Sequence, residues 1–332
     1  MPDLSIIIVS WNAWDLLDQC LQSIYENIRD IKFEIIYVDN ASQDNSVEQV
    51  KSRYPFVKVF CNDRNLGFSK ANNIALQAFS GRYALLLNND TILFPGAIEN
   101  LVAYLEEHRQ VGACGPLLVY PDETLQVSYG YFPSIWTAAM ASPLDRLLPP
   151  PLGNHRLGIV PRPDEKPHPV DYIRGACLLV RRDVVEEIGL MDERFFLYCE
   201  ETDWCYRIKQ KGWEIHFVPT SRIIHIGSQG LIRTPFRMHY ELYHSLRKFV
   251  YKYHPGWYAS FLGLILATAL TANSLAFFLL GLFLKDYAAS RAKARDLALQ
   301  ARVVVKVWLN LSEKESTKQK VPEQNRTVAG EN

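Results

Sequence analysis

Apolar residues along this chain come in two rhythms. Short unbroken runs, "LSIIIVS" at 4–10, "FEIIYV" at 33–38, "YALLL" at 83–87 and "VGACGPLLVY" at 111–120, alternate with stretches whose apolar residues recur every three or four positions. The runs are rich in β-branched residues and read as strands covered on both faces. The periodic stretches read as amphipathic helices. Leu16, Leu17, Cys20, Leu21, Ile24 and Ile28 share one face, and helices are also expected over 45–53, 65–79 and 96–108. Asn12 is placed to cap the first helix, with Asp15 three residues on. Alternation of this kind predicts an α/β fold built on a mainly parallel central sheet flanked by helices.

Ligands of such sheets bind beyond the carboxyl ends of the strands. Here the first strand ends in Ser10, Trp11 and Asn12, the second in Asp39 and Asn40, and the fourth in Asn88, Asn89 and Asp90. One polar strand end is ordinarily a turn; three at the same edge point to a site. Farther on, "ACLLV", "WEIHFVP" and "SRIIHI" are expected strands, and Glu200 to Lys211 a helix opening on Glu200, Glu201 and Asp203. A helix start favours carboxylates through its dipole, so the cluster is either charge compensation or a source of a general base. Residues 142–170 hold eight prolines and read as a long ordered loop.

Charge and cysteine content narrow the class. The 332 residues carry 36 basic and 36 acidic side chains, with no basic run interleaved with aromatics, which argues against a nucleic-acid partner. Six cysteines without a C-x-x-C pair read as reduced thiols of a cytosolic protein. There is no G-x-G-x-x-G turn after the first strand, which excludes a nucleotide-dependent dehydrogenase, and neither a phosphate loop nor a G-x-S-x-G elbow occurs.

The composition changes at the end. From Tyr258 to Leu284, 27 residues pass without a charge. As one helix they reach ~40 Å, longer than the ~30 Å hydrocarbon core. Basic residues flank the run on both sides: Arg247, Lys248 and Lys252 before it, Lys285, Arg291, Lys293 and Arg295 after it. Because both flanks claim the cytoplasmic side, a bent hairpin dipping into one leaflet is expected, with a single tilted span as the alternative. Residues 297–311 form a second amphipathic helix suited to a membrane surface, and 312–332 a polar, disordered tail.

The ordered set "SIIIVSWN", "VDNASQDNS", "NLGFSKANN", "LLLNNDT", "GACLLVRRDVVEEIGLMDERFFLYCEETDWCYRI" and "IIHIGS" resembles the family-2 glycosyltransferases of the GT-A fold, and among them the rhamnosyltransferase-like members. The resemblance covers about residues 3–230. It implies a catalytic domain over 1–235, with 142–170 as an acceptor flap, followed by membrane-associating helices over 236–311. It implies inverting transfer of a sugar, rhamnose among the choices, from a dTDP- or UDP-linked donor to a saccharide or lipid-linked saccharide acceptor at the cytoplasmic face of the membrane. Ser10, Asn12, Asp39, Asn73, Asn88 and Asn89 would line the nucleotide-sugar cleft. Asp90 and His225 would hold a divalent ion, Mg²⁺ or Mn²⁺, with Asn88 standing at the first acidic place of the family's D-x-D motif. Glu201 falls on the catalytic carboxylate, with Glu200 and Asp203 able to share the role. A non-catalytic scaffold on the same fold is the runner-up.

Overall fold

The computed structural model describes residues 2–139, 161, 166–227, 234–281 and 287–309. Most of the 142–170 loop and all of the 312–332 tail lie outside these residues. The first half alternates as the apolar rhythm predicts: β1 (Leu4–Ser10), α1 (Trp14–Asn27), β2 (Phe33–Asp39), α2 (Ser46–Arg53), β3 (Lys58–Cys61), α3 (Gly67–Ala78) and β4 (Tyr83–Asn88). Then come β5 (Thr91–Leu93), α4 (Ala97–Glu107), β6 (Val111–Val119), β7 (Tyr129–Gly130), α5 (Ile135–Ala139), β8 (His168–Pro169) and β9 (Tyr172–Ile173). Last are β10 (Cys177–Arg181), α6 (Arg182–Ile188), α7 (Glu200–Gln210), β11 (Glu214–His225) and three helices, α8 (Pro235–Tyr253), α9 (Gly256–Gly281) and α10 (Tyr287–Trp308).

The main sheet runs β3-β2-β1-β4-β10-β6-β11-β5, with β8 on β11. Strands β1 to β4 are mutually parallel, and β10 enters antiparallel between β4 and β6. The central strands are apolar on both sides because helices cover both faces; Ile6, Ile7, Ile8, Leu85 and Leu86 have no exposed surface. The expected strands "WEIHFVP" and "SRIIHI" are a single strand, β11, with an irregularity between Val218 and Arg222.

One link decides the shape of this sheet. Strand β5 lies at the far end of the order, yet it begins three residues after β4 ends. Three residues span at most ~11 Å, so the sheet must curl until its β5 edge meets the tip of β4. There β5 pairs antiparallel with the end of β11, and Thr91 faces His225.

Asn12 does not cap α1. The helix begins after Ala13 without a side-chain cap of its own, and its Trp14 N–H donates to Asp44 Oδ2 at 3.2 Å. Asn12 instead has φ +50, and its carboxamide oxygen accepts the Gln43 N–H at 2.6 Å. Asn12 is drawn away from capping by the need to tie the β1–α1 turn to the β2–α2 turn, and Asp44 takes the α1 N–H across the same junction. Five of the six thiols are buried and reduced, as their apolar neighbours imply, and Cys61 is exposed.

Residues 258–281 of the uncharged run lie in one uninterrupted helix, α9, through Asn273 and Ser274, so the chain does not bend there. Ser274 Oγ donates to Ala294 O at 2.8 Å and is satisfied by the neighbouring α10. Helices α9 and α10 pack side by side, antiparallel, with Trp308 Nε1 donating to Ala259 O.

Gly67, at φ +82, opens α3 where the chain passes the 195–198 segment; an added Cβ would lie 2.4 Å from Phe196 O. Gly67→Ala combines a left-handed backbone with a backbone clash, and a loss of about 1–3 kcal/mol in urea unfolding is expected.

Candidate functional site

The edge at the carboxyl ends of β1, β2 and β4 holds a continuous line of polar groups. Asp39 is buried and already accepts two bonds, from Tyr37 Oη at 2.8 Å and from the Ser42 N–H at 2.9 Å. Each carboxylate oxygen keeps a second acceptor site. Next to it the Asn40 N–H donates to Ser10 O at 2.9 Å, and Asn89 Nδ2 donates to Ser10 Oγ at 2.7 Å. Asn89 thus ties the tip of β4 to the tip of β1. Asn12 and Ala41, which end these turns, both carry positive φ (+50 and +63), and Trp11 beside them is 45% exposed. Strained backbone of this kind is held by its surroundings and gathers at functional edges.

Asn88 and Asp90 face His225, which the β5–β11 pairing delivers. His225 Nε2 lies 3.4 Å from Asp90 Oδ1 and 3.4 Å from Asn88 Nδ2. Gln126 sets the ring: its Nε2 donates to His225 O at 3.1 Å, which turns its Oε1 to His225 Nδ1 at 2.6 Å. Nδ1 therefore carries the proton, and Nε2 presents a lone pair toward Asp90. Two electron-rich atoms facing each other at 3.4 Å call for a cation or a proton between them. Adjacent ligands of an octahedral ion at ~2.1 Å stand ~3.0 Å apart, so a carboxylate, an imidazole and a rotatable amide suit a divalent ion. Among the described residues no third His, Cys, Asp or Glu joins them, so the remaining positions fall to water or ligand oxygens. Burial pushes the Asp90 carboxyl up, but a proton held between it and His225, together with the Gly227 N–H 3.1 Å from Oδ2, outweighs this and holds the group below its ordinary value.

The acidic helix start reaches the same edge through β10. The Asn88 N–H donates to Ala176 O at 2.9 Å. The preceding Gly175 packs on Glu201, whose Cδ would lie 3.7 Å from an added Cβ. Tyr198 and Cys199, at φ +68 and +63, turn the chain so that the first turn of α7 points inward. Glu200 and Glu201 are only 4% and 6% exposed, and Oε2 of each is buried without a hydrogen-bond partner among the described residues. A carboxylate placed only for charge compensation would face water. Burial and then Glu201 hold the Glu200 carboxyl well above its ordinary value. Burial raises Glu201 as well, while the Arg174 guanidinium and the Gly175 N–H work in the other direction.

Asp203 is placed differently from its two neighbours. It has no exposed surface and accepts Arg207 Nε at 3.0 Å, Lys252 Nζ at 2.5 Å and Tyr253 Oη at 2.7 Å. Lys252 also donates to Asp192 at 2.7 Å. Asp203 is thus saturated with donors and anchors the end of α8 to α7, which removes it from proton transfer. Asn73 is also a strut: its carboxamide bonds both the N–H and the C=O of Met191, at 3.0 and 2.9 Å, and so holds the segment leading to the acid pair. Of the aromatics that follow β6, Tyr129 packs on Phe217 and Phe132 on Tyr206, while Trp136 is 64% exposed.

Three residues of the site carry no sequence signal that singles them out. Gln126 and Lys252 look like ordinary surface residues until the fold brings them inward. Arg174 is equally unmarked, a cation in the short turn between β9 and β10.

A model of glycosyl transferase family 2 matches residues 5–189. An N-acetylglucosaminyl-diphospho-decaprenol L-rhamnosyltransferase of Mycobacterium tuberculosis is 27% identical over 269 residues, 77% of this chain and 86% of that protein. Among solved structures, the mannosyltransferase PcManGT from Pyrobaculum calidifontis in complex with GDP-Man and Mn²⁺ has a TM-score of 0.58 at 17% identity, over 95% of this chain and 88% of that one. GalNAc-T7 with UDP, GalNAc and Mn²⁺ has a TM-score of 0.51 at 21% identity, over 68% of this chain and 43% of that one. At these identities the two structures speak to the fold alone.

The two kinds of acid separate experimentally. Asp203→Asn strips a buried anion from its cations and is expected to lower the unfolding free energy by roughly 2–4 kcal/mol, measured by urea titration. Glu200 behaves in the opposite sense. Its folded value lies above the unfolded one of ~4.3, so its contribution is fully present below that pH and is lost as pH rises through the folded value. Glu200→Gln is therefore expected to gain stability relative to wild type as pH rises toward neutrality; a pH-independent difference in urea midpoints would contradict the assignment.

Proposed function

The chain belongs to glycosyl transferase family 2, with the GT-A fold, and we propose that it transfers a sugar from a nucleoside diphosphate sugar to a hydroxyl of a saccharide or lipid-linked saccharide, with inversion at the anomeric carbon. The observation that carries this reading is the buried acid Glu201, with one oxygen unpartnered, on the edge where Ser10, Asp39, Asn88, Asn89, Asp90 and His225 converge. Ser10, Asn12 and Asp39 line the base and ribose side, and Asn88 and Asn89 the sugar side. Glu201 takes the proton of the acceptor hydroxyl. The oxygen forms its bond to the anomeric carbon as the bond from that carbon to the diphosphate oxygen breaks on the opposite face. The electron pair leaves with the nucleoside diphosphate, and no covalent enzyme intermediate is needed.

Asp90 and His225, with Asn88 beside them, suit a divalent ion, Mg²⁺ or Mn²⁺. When bound, such an ion supplies neutralisation of the charge that develops on the diphosphate. Glu200, whose carboxyl burial and Glu201 hold well above its ordinary value, disfavours two adjacent charges on the pair. Arg174 opposes the rise that burial causes in the Glu201 carboxyl, and so favours the ionised form that a base needs. The relative's name, an L-rhamnosyltransferase on a lipid-linked sugar, supports testing dTDP-rhamnose first and UDP-hexoses next, and the proposed workplace is the cytoplasmic face of a membrane.

Glu201→Gln is expected to lower turnover by about 10²–10⁴-fold with donor binding retained, read by product formation and by calorimetric donor titration with Mn²⁺. Full activity in the variant would sink the base assignment and favour a binding or scaffolding role.

A further inference from the structure

The helical hairpin at the end of the chain has one face against which none of the described residues packs. On α9 the exposed large apolar residues are Trp257, Phe261, Leu264, Leu275, Phe278 and Leu279. At ~100° per residue they fall on one stripe along the helix. Beside the stripe runs a groove between α9 and α10, made of two adjoining hollows of about 720 and 420 Å³ that share Thr271, Ser274 and Ala298. Leu275 and Phe278 belong to both the stripe and the groove wall, so the two open on the same side. The other wall carries Arg291, Arg295, Arg302 and Lys306. Their spacing of 4, 7 and 4 places them within ~60° of one another on α10.

We propose that this hairpin seats the protein in the plane of an anionic bilayer, with the four cations on lipid phosphates and the α9 stripe among the acyl chains. The inference rests on the membrane-facing reading of the tail given above and is independent of the sugar transferred. The packing of the hairpin argues for the plane against a span. Trp308 lies over Gly263 and Ser274 bonds Ala294, so the cation row is level with the middle of Gly256–Leu279, the one described stretch long and apolar enough to cross a membrane. Were α9 to run across the bilayer, it would drag those cations through hydrocarbon, where they are strongly disfavoured. Lying flat, the apolar stripe enters the acyl boundary and the cations meet the phosphates at its edge. The occupant follows from charge: four cations of one sign beside an apolar trough match an anionic headgroup joined to a hydrocarbon chain. The groove also points at the acid pair. Phe236 lines it, and Met238, on the next half-turn of α8, accepts a bond from Tyr198, two residues before Glu200.

The test is flotation of the full-length protein with phosphatidylcholine vesicles, with and without phosphatidylglycerol. Binding on the order of ten-fold tighter to the anionic vesicles is expected, falling with salt. The triple variant R295Q/R302Q/K306Q is expected to lose that preference while melting like wild type. Phe261→Glu is expected to weaken binding to both kinds of vesicle. Bound wild type should be released by alkaline carbonate, which does not extract a spanning helix; retention would overturn the in-plane seat. An unchanged preference in the triple variant, or equal binding to both vesicles, would overturn the phosphate row alone. Failure to bind either vesicle would overturn the membrane reading as well. At matched ionic strength inorganic phosphate should not compete; if it does, the row is a free-anion site and the lipid assignment falls.

Discussion

The link from Asn88 to Thr91 is the constraint on which the rest depends. It is too short to reach the far edge of a flat sheet, so the sheet curls, and the curl closes the order of strands on itself. Everything the site needs follows from that closure. His225 arrives beside Asp90 because β11 must pair with β5. The main-chain bond from Asn88 to Ala176 then carries Gly175, and with it Glu201, to the same tip. A longer link would let β5 pair elsewhere, and the carboxylate and the imidazole would belong to different regions of the protein.

A site assembled this way stores unfavourable energy that the surroundings must offset. Two adjacent carboxyl groups are buried with an unpartnered oxygen each, behind two residues in left-handed backbone conformation. Left-handed conformation costs a non-glycine residue roughly 1–2 kcal/mol. The compensation sits one helical turn away. Asp203 gathers Arg207, Lys252 and Tyr253, and Lys252 reaches on to Asp192, so both ends of the strained turn are pinned. The same four-residue sequence "EETD" therefore holds a reactive part and a structural part, and neither part can be told from the other by its letters.

This anchor also joins the tail to the site. Lys252 and Tyr253 stand at the end of α8, directly before the apolar α9. The C-terminal helices and the helix that carries the acids are therefore one packed unit.

Reading the chain alone settled what periodicity and composition can settle. The alternation of apolar runs and amphipathic stretches determined the α/β class, the parallel strands β1 to β4 and the edge at which polar tips converge, because burial on both faces leaves a direct imprint on residue type. The uncharged run determined that a helix of membrane length follows. Tertiary structure decided what depends on partners distant in sequence. Asp203 and Asn73 are struts because of Lys252 and Met191, 49 and 118 residues away. Asn12 lost its capping role to Asp44 through a turn that only the β1–β2 pairing brings near. Gln126 orients His225 from 99 residues away. The run 258–284 does not bend at Asn273 and Ser274, because Ser274 finds its partner on α10 rather than in a break of its own helix. A side chain's identity limits the bonds it can make, and only the closed fold determines which of them it makes.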